Sequence, residues 1–143
     1  MRRNPKKRRS PDGLREVAWR ILLDWEAGKE SLESLRENCF GRFHLSRNDR
    51  ALITELTQGV VRHRIFLEHN VLGRLDRPGA SLPEPVRQAL FLGAYQLLLL
   101  DKIPSHAAVD ESVEIIKGSS FAGFAPLVNA VLRKISSSRP VPL

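Results

Sequence analysis

The sequence contains a single cysteine, Cys39, and this scarcity excludes two kinds of site. A lone thiol cannot form an intrachain disulfide, and it leaves too few sulfur ligands for a zinc cluster. The histidines His44, His63, His69 and His106 are scattered, and no two share a helix face at a ligand-like spacing. We therefore expect no metal centre, and we interpret Cys39 as a small core residue rather than a nucleophile.

The chain also lacks a long apolar segment. The longest apolar run, around residues 93–100, is interrupted by Tyr95 and Gln96 and stops at Asp101. A membrane-spanning helix requires about 18 or more apolar residues, and the basic N-terminus is not followed by the apolar stretch of a secretory signal. We therefore expect a cytoplasmic protein that does not interact with membranes, with one domain because the chain has 143 residues.

Nucleotide-binding and catalytic motifs are missing as well, because the sequence contains neither G-x-G-x-x-G nor a P-loop. Only the stretch PSHAAVDE, residues 104–111, places a serine, a histidine and two carboxylates together. The same residue types start a helix, with Ser105 as N-cap and carboxylates near the positive end of the dipole. We favour the helix start over a catalytic cluster, and we expect this chain to hold no cofactor and to have no enzymatic activity of its own.

The positive charge is concentrated at the N-terminus. The first nine residues contain six cations and no acid, namely Arg2, Arg3, Lys6, Lys7, Arg8 and Arg9, whereas the whole chain carries a net charge of +7. Such a segment repels itself and attracts polyanions, and arginine-rich segments often become ordered on RNA. We predict that residues 1–10 form a disordered nucleic-acid-binding arm; the alternative is a solubilising tail or a cloning remnant.

Apolar residues recur at helical spacing along the remainder of the chain, and no segment alternates with the period of a strand. The pattern predicts about seven helices, packed as a compact all-α domain over residues 11–136. Ser31 can cap a short second helix through Leu32, Leu35 and Cys39. SRND, residues 46–49, has the form of a capping box, and a long apolar stripe after it predicts a helix break near residues 62–64. Residues 40–44 read as a loop, Gly93 as a close helix contact, and residues 137–143 as a linker or tail.

Three ordered stretches resemble one known family. They are SRNDRALITELTQGVVRHRIFLEHNV, LFLGAYQLLLLDKIPSHAAVDESVEIIK and PLVNAVLRK. Together they are similar to the NusB-like domain over roughly residues 14–136. This all-helical domain occurs as the antitermination factor NusB, which binds RNA and a small-subunit ribosomal protein. It also forms the N-terminal part of the RsmB (Sun/Fmu) enzymes, which make 5-methylcytosine in 16S rRNA with S-adenosylmethionine, and the wording of the motifs is closer to these enzymes.

The resemblance implies an RNA-recognition domain from which the catalytic domain is missing. At two positions where NusB tends to carry an arginine and an aromatic residue that touch RNA, this chain has Phe91 and Leu127. We therefore expect the RNA contacts to come from the arm and from other basic residues, with Phe43 or Phe121 as candidates for base stacking. The predicted contacts beyond the arm are Arg62, His63, Arg64, Arg133 and Lys134.

Other partners remain open from the sequence. A free-standing NusB-type regulator that binds RNA and a ribosomal protein is the main alternative, and the acidic side of the helix carrying Asp110, Glu111 and Glu114 would face such a basic partner. A methyltransferase domain following the chain is a third possible partner. A homodimer is also possible if part of the Leu97–Leu100 segment is exposed.

Overall fold

The computed structural model describes residues 13–77, 81–138 and 140–143. Within these ranges the chain forms seven α-helices and a short 3-10 helix (Ala122–Phe124), and it contains no β-strand. The prediction of an all-α fold is confirmed. The helices are α1 (Leu14–Glu26), α2 (Leu32–Arg42), α3 (Arg47–Arg62), α4 (Arg64–Leu72), α5 (Glu84–Leu99), α6 (Ser105–Lys117) and α7 (Ala125–Ser137).

The chain divides into two units, Met1–Gln58 and Gly59–Leu143. In the first unit, α1, α2 and the start of α3 enclose a small core in which Cys39 is buried. Burial raises the pKa of the Cys39 thiol, and the nearby positive charge of Arg42 offsets only part of that rise. The other buried members are Val17, Ile21 and Ile53, and the half-buried side chains packed against them are Leu14, Leu32, Leu35, Phe40, Phe43 and Leu45.

In the second unit, α5 is the central helix. Every residue from Gln88 to Gln96 is buried, because α5 packs against α4, α6 and α7. A methyl group on Gly93 would lie 2.6 Å from Leu132 Cδ1 on α7 and 2.9 Å from Ser112 Oγ on α6. This glycine therefore permits the close approach of three helices, as the sequence predicted.

Several helix ends have the caps that the sequence predicted. Ser31 Oγ accepts a hydrogen bond from the Ser34 backbone N–H at 3.1 Å, which caps α2. The capping box of α3 is reciprocal: the Ser46 backbone N–H donates to Asp49 Oδ2, and the Asp49 N–H donates to Ser46 Oγ, both at 3.0 Å. These bonds satisfy backbone donors that the first turn of a helix leaves unpaired.

Two local predictions were wrong. The predicted loop at residues 40–44 begins too early, because α2 continues to Arg42, where Phe40 packs on the core and Gly41 is exposed within the last turn. Ser105 is not the N-cap of α6: the helix already begins there, and the Pro104 carbonyl accepts from the backbone N–H groups of Ala107 and Ala108. Proline fits this position because its extended backbone leads directly into the first turn.

The predicted boundaries of the arm, the domain and the tail stay predictions. The arm, residues 1–10, lies outside the described residues, and α7 ends at Ser137, at the start of the predicted tail. In the part of the chain that the structure describes, no helix is both long and apolar enough to cross a membrane. The cytoplasmic location likewise stays a prediction.

Candidate nucleic-acid interface

The predicted basic residues of the second unit begin at the break between α3 and α4. The helix stops at Arg62 and resumes at Arg64, so the predicted break is confirmed. The interruption is the single residue His63, whose backbone N–H still donates to the Gly59 carbonyl at 3.0 Å. Its own carbonyl accepts from the Leu67 N–H at 2.9 Å, so both helices continue their hydrogen bonding through this residue.

The imidazole of His63 stacks on the phenol ring of Tyr95 from α5. The two ring centroids lie 6.1 Å apart and the ring planes differ by 23°. His63 and Arg64 are only half-exposed, and Arg64 is engaged in contacts of its own. Arg62 is exposed, and no carboxylate among the described residues pairs with it. Of this predicted group, Arg62 is therefore the residue best placed to contact an anion.

The predicted pair on α7 behaves differently. Lys134 Nζ lies 2.9 Å from Asp76 Oδ1 and also donates to the Arg74 carbonyl at 3.4 Å. The hydrogen bond from Lys134, together with its charge, lowers the pKa of the Asp76 carboxyl from its ordinary value. Arg133 is exposed and donates from Nε to Asn129 Oδ1 at 3.2 Å, so it keeps its positive charge. Arg133 is available to an anion, whereas Lys134 already has a carboxylate partner.

The structure shows a further basic group that the sequence interpretation missed. Arg42 ends α2, and Arg47 and Arg50 lie in the first turn of α3; all three are exposed and none pairs with a carboxylate among the described residues. The guanidinium of Arg42 lies 5.7 Å from the centre of the Phe43 ring, within cation–π distance. Across residues 42–50, Asp49 is the only acid, and the capping box occupies it. The excess of arginine over acidic residues in this stretch is the sequence signal from which this basic group could have been predicted.

Most other surface cations have carboxylate partners. Exposed ion pairs join Arg20 to Glu16 at 3.3 Å, Lys29 to Asp24 at 3.2 Å and Lys117 to Glu114 at 3.5 Å. A neighbouring carboxylate cancels much of the attraction that a cation would exert on a phosphate. We call the exposed arginines without such a carboxylate partner the free arginines: Arg42, Arg47, Arg50, Arg62, Arg77 and Arg133.

The aromatic candidates for base stacking are less accessible than expected. Phe43 is half-buried against the core of the first unit, and Phe121 is half-buried in the turn before the 3-10 helix. Phe91 is buried, with the guanidinium of Arg87 5.6 Å from its ring centre. Leu127 is half-buried and lines a cavity of about 240 Å³. None of these rings belongs to an exposed residue, so the described surface favours contacts with phosphates over base stacking.

Metal ligation has no support in the part of the chain that is described. Across residues 13–77, 81–138 and 140–143, no three side chains of the His, Cys, Asp or Glu type come together at a distance suited to a metal ion.

The sequence profile of the NusB family matches residues 13–137. The chain belongs to the NusB family. It is 33% identical over 120 residues to a probable ribosomal RNA small subunit methyltransferase B from Synechocystis sp., covering 84% of this chain and 27% of that protein. It is 30% identical over 128 residues to the transcription antitermination protein NusB of Thiobacillus denitrificans, covering 87% of this chain and 88% of that protein.

Solved structures agree on the fold. NusB from T. maritima superposes with a TM-score of 0.78 at 20% identity, covering 90% of this chain and 91% of that one. The antitermination factors NusB and NusE in complex with dsRNA give a TM-score of 0.72 at 22% identity, with 86% and 92% covered. The resemblance predicted from the three sequence stretches is thus confirmed. The chain spans about a quarter of the length of the methyltransferases it matches, since it covers 27% of the Synechocystis protein.

Proposed function

We propose that this chain is an RNA-binding domain that recognises ribosomal RNA as the N-terminal module of an RsmB-type cytosine-5 methyltransferase. The observation that carries the proposal is the set of free arginines, which lie exposed in both units without carboxylate partners. Phosphate contacts supply most of the affinity in such interfaces, and each one releases counterions. The predicted arm adds six cations from residues 1–9.

Membership of the NusB family also supports a role in RNA binding. A solved relative with this fold was crystallised with NusE and dsRNA, and several curated relatives are named as small-subunit rRNA methyltransferases. The proposed division of labour gives this domain the binding of RNA and leaves methyl transfer, with its S-adenosylmethionine, to a separate catalytic domain. This chain alone is then expected to methylate nothing.

Fluorescence anisotropy with a labelled single-stranded fragment of small-subunit rRNA tests the proposal. Arg62→Gln and the double variant Arg47→Gln/Arg50→Gln each remove free arginines. Arg20→Gln is the matched control, because it makes the same change at an exposed arginine that Glu16 already pairs. We expect the salt slope to fall by about 0.7 for each phosphate that the variant no longer neutralises on a single strand, and the control to bind like the unmodified chain.

Two results would count against the proposal. The first is an unmodified chain that does not bind the fragment at low salt. The second is an Arg20→Gln variant that binds as weakly as the free-arginine variants, because affinity would then follow only the total charge. Methylation assays with S-adenosylmethionine should stay at background, and measurable transfer by this chain would refute the non-catalytic assignment.

The gene itself separates the methyltransferase module from a free-standing NusB-type regulator. A reading frame that continues past Leu143 into a cofactor-binding domain supports the first, and a stop codon supports the second. The same domain covers most of the Thiobacillus NusB but only the smaller part of the Synechocystis protein, which is why the reading frame distinguishes the two assignments.

A second candidate function is docking of a basic protein, such as the ribosomal protein of the NusB alternative. Between α6 and α7 lies a groove of about 640 Å³ with Val113, Ala125 and Pro126 in its lining. Its acidic groups are Asp110 and Glu114, and Glu114 pairs with Lys117 of the same lining at 3.5 Å, which leaves Asp110 as the unpaired carboxylate of the groove among the described residues. An apolar lining beside carboxylates suits a basic segment. A pull-down with and without nuclease separates the two functions: partners that survive nuclease favour protein docking, and loss of all partners favours RNA.

Self-association through the end of α5 would bury little apolar surface. Leu99 is 37% exposed, while Leu97, Leu98 and Leu100 are half-buried, so little apolar area is available. Sedimentation equilibrium over a range of concentrations, comparing the unmodified chain with Leu99→Gln, measures it directly.

A further inference from the structure

The main chain after α7 returns to α4 and is bound there by one side chain. The carboxamide of Asn70 donates from Nδ2 to the Val141 carbonyl at 3.0 Å, and its Oδ1 accepts from the Val141 N–H at 2.7 Å. Both polar groups of one backbone residue are thus paired with one carboxamide. This is the pattern that a neighbouring strand would offer to an extended chain.

The remaining hydrogen-bonding capacity of Asn70 is also used. Nδ2 donates to the Phe66 carbonyl at 3.0 Å, and Oδ1 accepts from Arg74 Nη1 at 2.9 Å. The residue is fully buried. Burying a carboxamide is costly unless its hydrogen bonds are made, and the bonds to Val141 supply a large part of them.

A second contact fixes the start of the same segment. Arg74 Nη2 donates to Ser138 Oγ at 2.9 Å, and Ser138 Oγ donates to the Lys134 carbonyl at 2.6 Å. Asn70 lies in the last turn of α4, and Arg74 follows it four residues later, just past the end of the helix. Arg74 binds Ser138, and Asn70 binds Val141.

Internal helix bonding alone does not explain Asn70. An asparagine that only bonded the carbonyl four residues earlier would leave part of its carboxamide unpaired in the core, where an apolar residue costs less. The hydrogen bonds to the main chain of Val141, 71 positions away, explain why an asparagine occupies position 70.

We infer that Asn70 is the docking point for the main chain that leaves α7, so that residues 138 and 141 belong to the folded domain. The ligand is the main chain at Val141, supplied here by the chain's own C-terminal segment. The segment predicted as a linker would then leave the domain in a fixed direction. If the proposed methyltransferase assignment also holds, a domain following residue 143 would start from a fixed point rather than from a loose tether.

Amide hydrogen exchange measured by NMR on the full chain tests the inference. Pro140 and Pro142 have no amide proton, so Val141 and Leu143 give two separate reporters in the final stretch. Leu143 serves as the unbound reference because its amide donates no hydrogen bond to any of the described residues. We expect Val141 to exchange about tenfold more slowly than its sequence-corrected intrinsic rate, and Leu143 to exchange near that rate.

Asn70→Ala should remove this protection from Val141, whereas Asn48→Ala, which changes an exposed asparagine in α3, should leave it intact. If Asn70→Ala does not fold, Val141→Pro provides the test instead. This variant removes the N–H group that donates to Asn70, and the fold should tolerate it because the Val141 side chain is exposed. The Asn70 carboxamide protons should then exchange faster. An unprotected Val141 in the unmodified chain, or Asn70 protons unaffected by Val141→Pro, would overturn the inference while leaving RNA binding untouched.

Discussion

The phenol ring of Tyr95 lies so close to the main chain of Gly59 that a methyl group on this glycine would overlap the ring atoms. His63, the residue that separates α3 from α4, stacks on the same ring. Gly59 therefore permits Tyr95 to approach α3 closely, and His63 packs on the same ring at the helix break. The exposed Arg62 directly precedes this break. Here the packing of the second unit and the candidate interface depend on the same residues.

Replacing Gly59 should destabilise the protein measurably. Gly59→Ala introduces the overlap with Tyr95, and overpacking of this kind typically costs about 1–3 kcal/mol, which exceeds the roughly 1 kcal/mol that alanine gains in a helix. Gly41→Ala is the matched control, since Gly41 is helical and exposed with no atom in its way. Urea unfolding should show a lower midpoint for Gly59→Ala and an equal or higher one for Gly41→Ala. Equal stability of Gly59→Ala and the unmodified chain would show that Tyr95 has room to move.

Removing the partner of Lys134 should strengthen RNA binding. Asp76→Asn frees the ammonium group that now lies 2.9 Å from the carboxylate, so the salt slope should become steeper by about 0.7 if Lys134 then meets a phosphate. Asp24→Asn makes the same change of charge beside Lys29 and serves as the control. Anisotropy titrations at several salt concentrations measure both. A gain of the same size in both variants would point to net charge alone and remove Lys134 from the interface.

The Asp76 carboxyl should titrate below its ordinary pKa of 3.8 because Lys134 donates a hydrogen bond to it and attracts its charge. A lowered pKa in the folded state stabilises the fold at pH values above the unfolded pKa, and this contribution disappears as the pH falls through the folded pKa. An NMR titration of the Asp76 carboxyl should give a lowered pKa in the unmodified chain and the ordinary pKa in Lys134→Gln. Asp76 is 92% exposed, so the effect on stability is small. An identical titration in both proteins would contradict the ion pair in solution.

The thiol of Cys39 should be unreactive in the folded protein. It is buried, and burial raises its pKa, so both access and thiolate content are low. Reaction with a disulfide reagent at pH 8 should be slow in buffer and fast in concentrated urea. Rapid labelling in buffer would mean that the core between α1 and α2 opens readily.

Local signals in the sequence were sufficient for much of the fold. The Ser46–Asp49 capping box, the Ser31 cap and the break at His63 depend on residues within a few positions of one another, and all were predicted correctly. Gly93 was also interpreted correctly, because a glycine inside an apolar helix has few explanations other than close packing. The end of α2 was misplaced because Gly41 resembles a breaker, while tertiary packing of Phe40 extends the helix.

The candidate site was less predictable, because its determinants are far apart in the sequence. Lys134 looked like a free cation, yet its partner Asp76 precedes it by 58 residues. The bond between Asn70 and Val141 spans 71 residues. The local pairs of Arg20, Lys29 and Lys117 could be predicted from their spacing, but no local pattern shows that Lys134 is neutralised by a distant carboxylate.

The N-terminal arm is proposed to add phosphate contacts to those of the free arginines, and one salt titration tests this most directly. Binding of single-stranded rRNA should be compared between the full chain and a chain that begins at Ser10. If about five arm cations meet phosphates, deletion should reduce the magnitude of the slope of log affinity against log salt by roughly 3.5. We predict that reduction together with much weaker binding at low salt. Unchanged affinity and slope in the shortened chain would contradict the role of the arm.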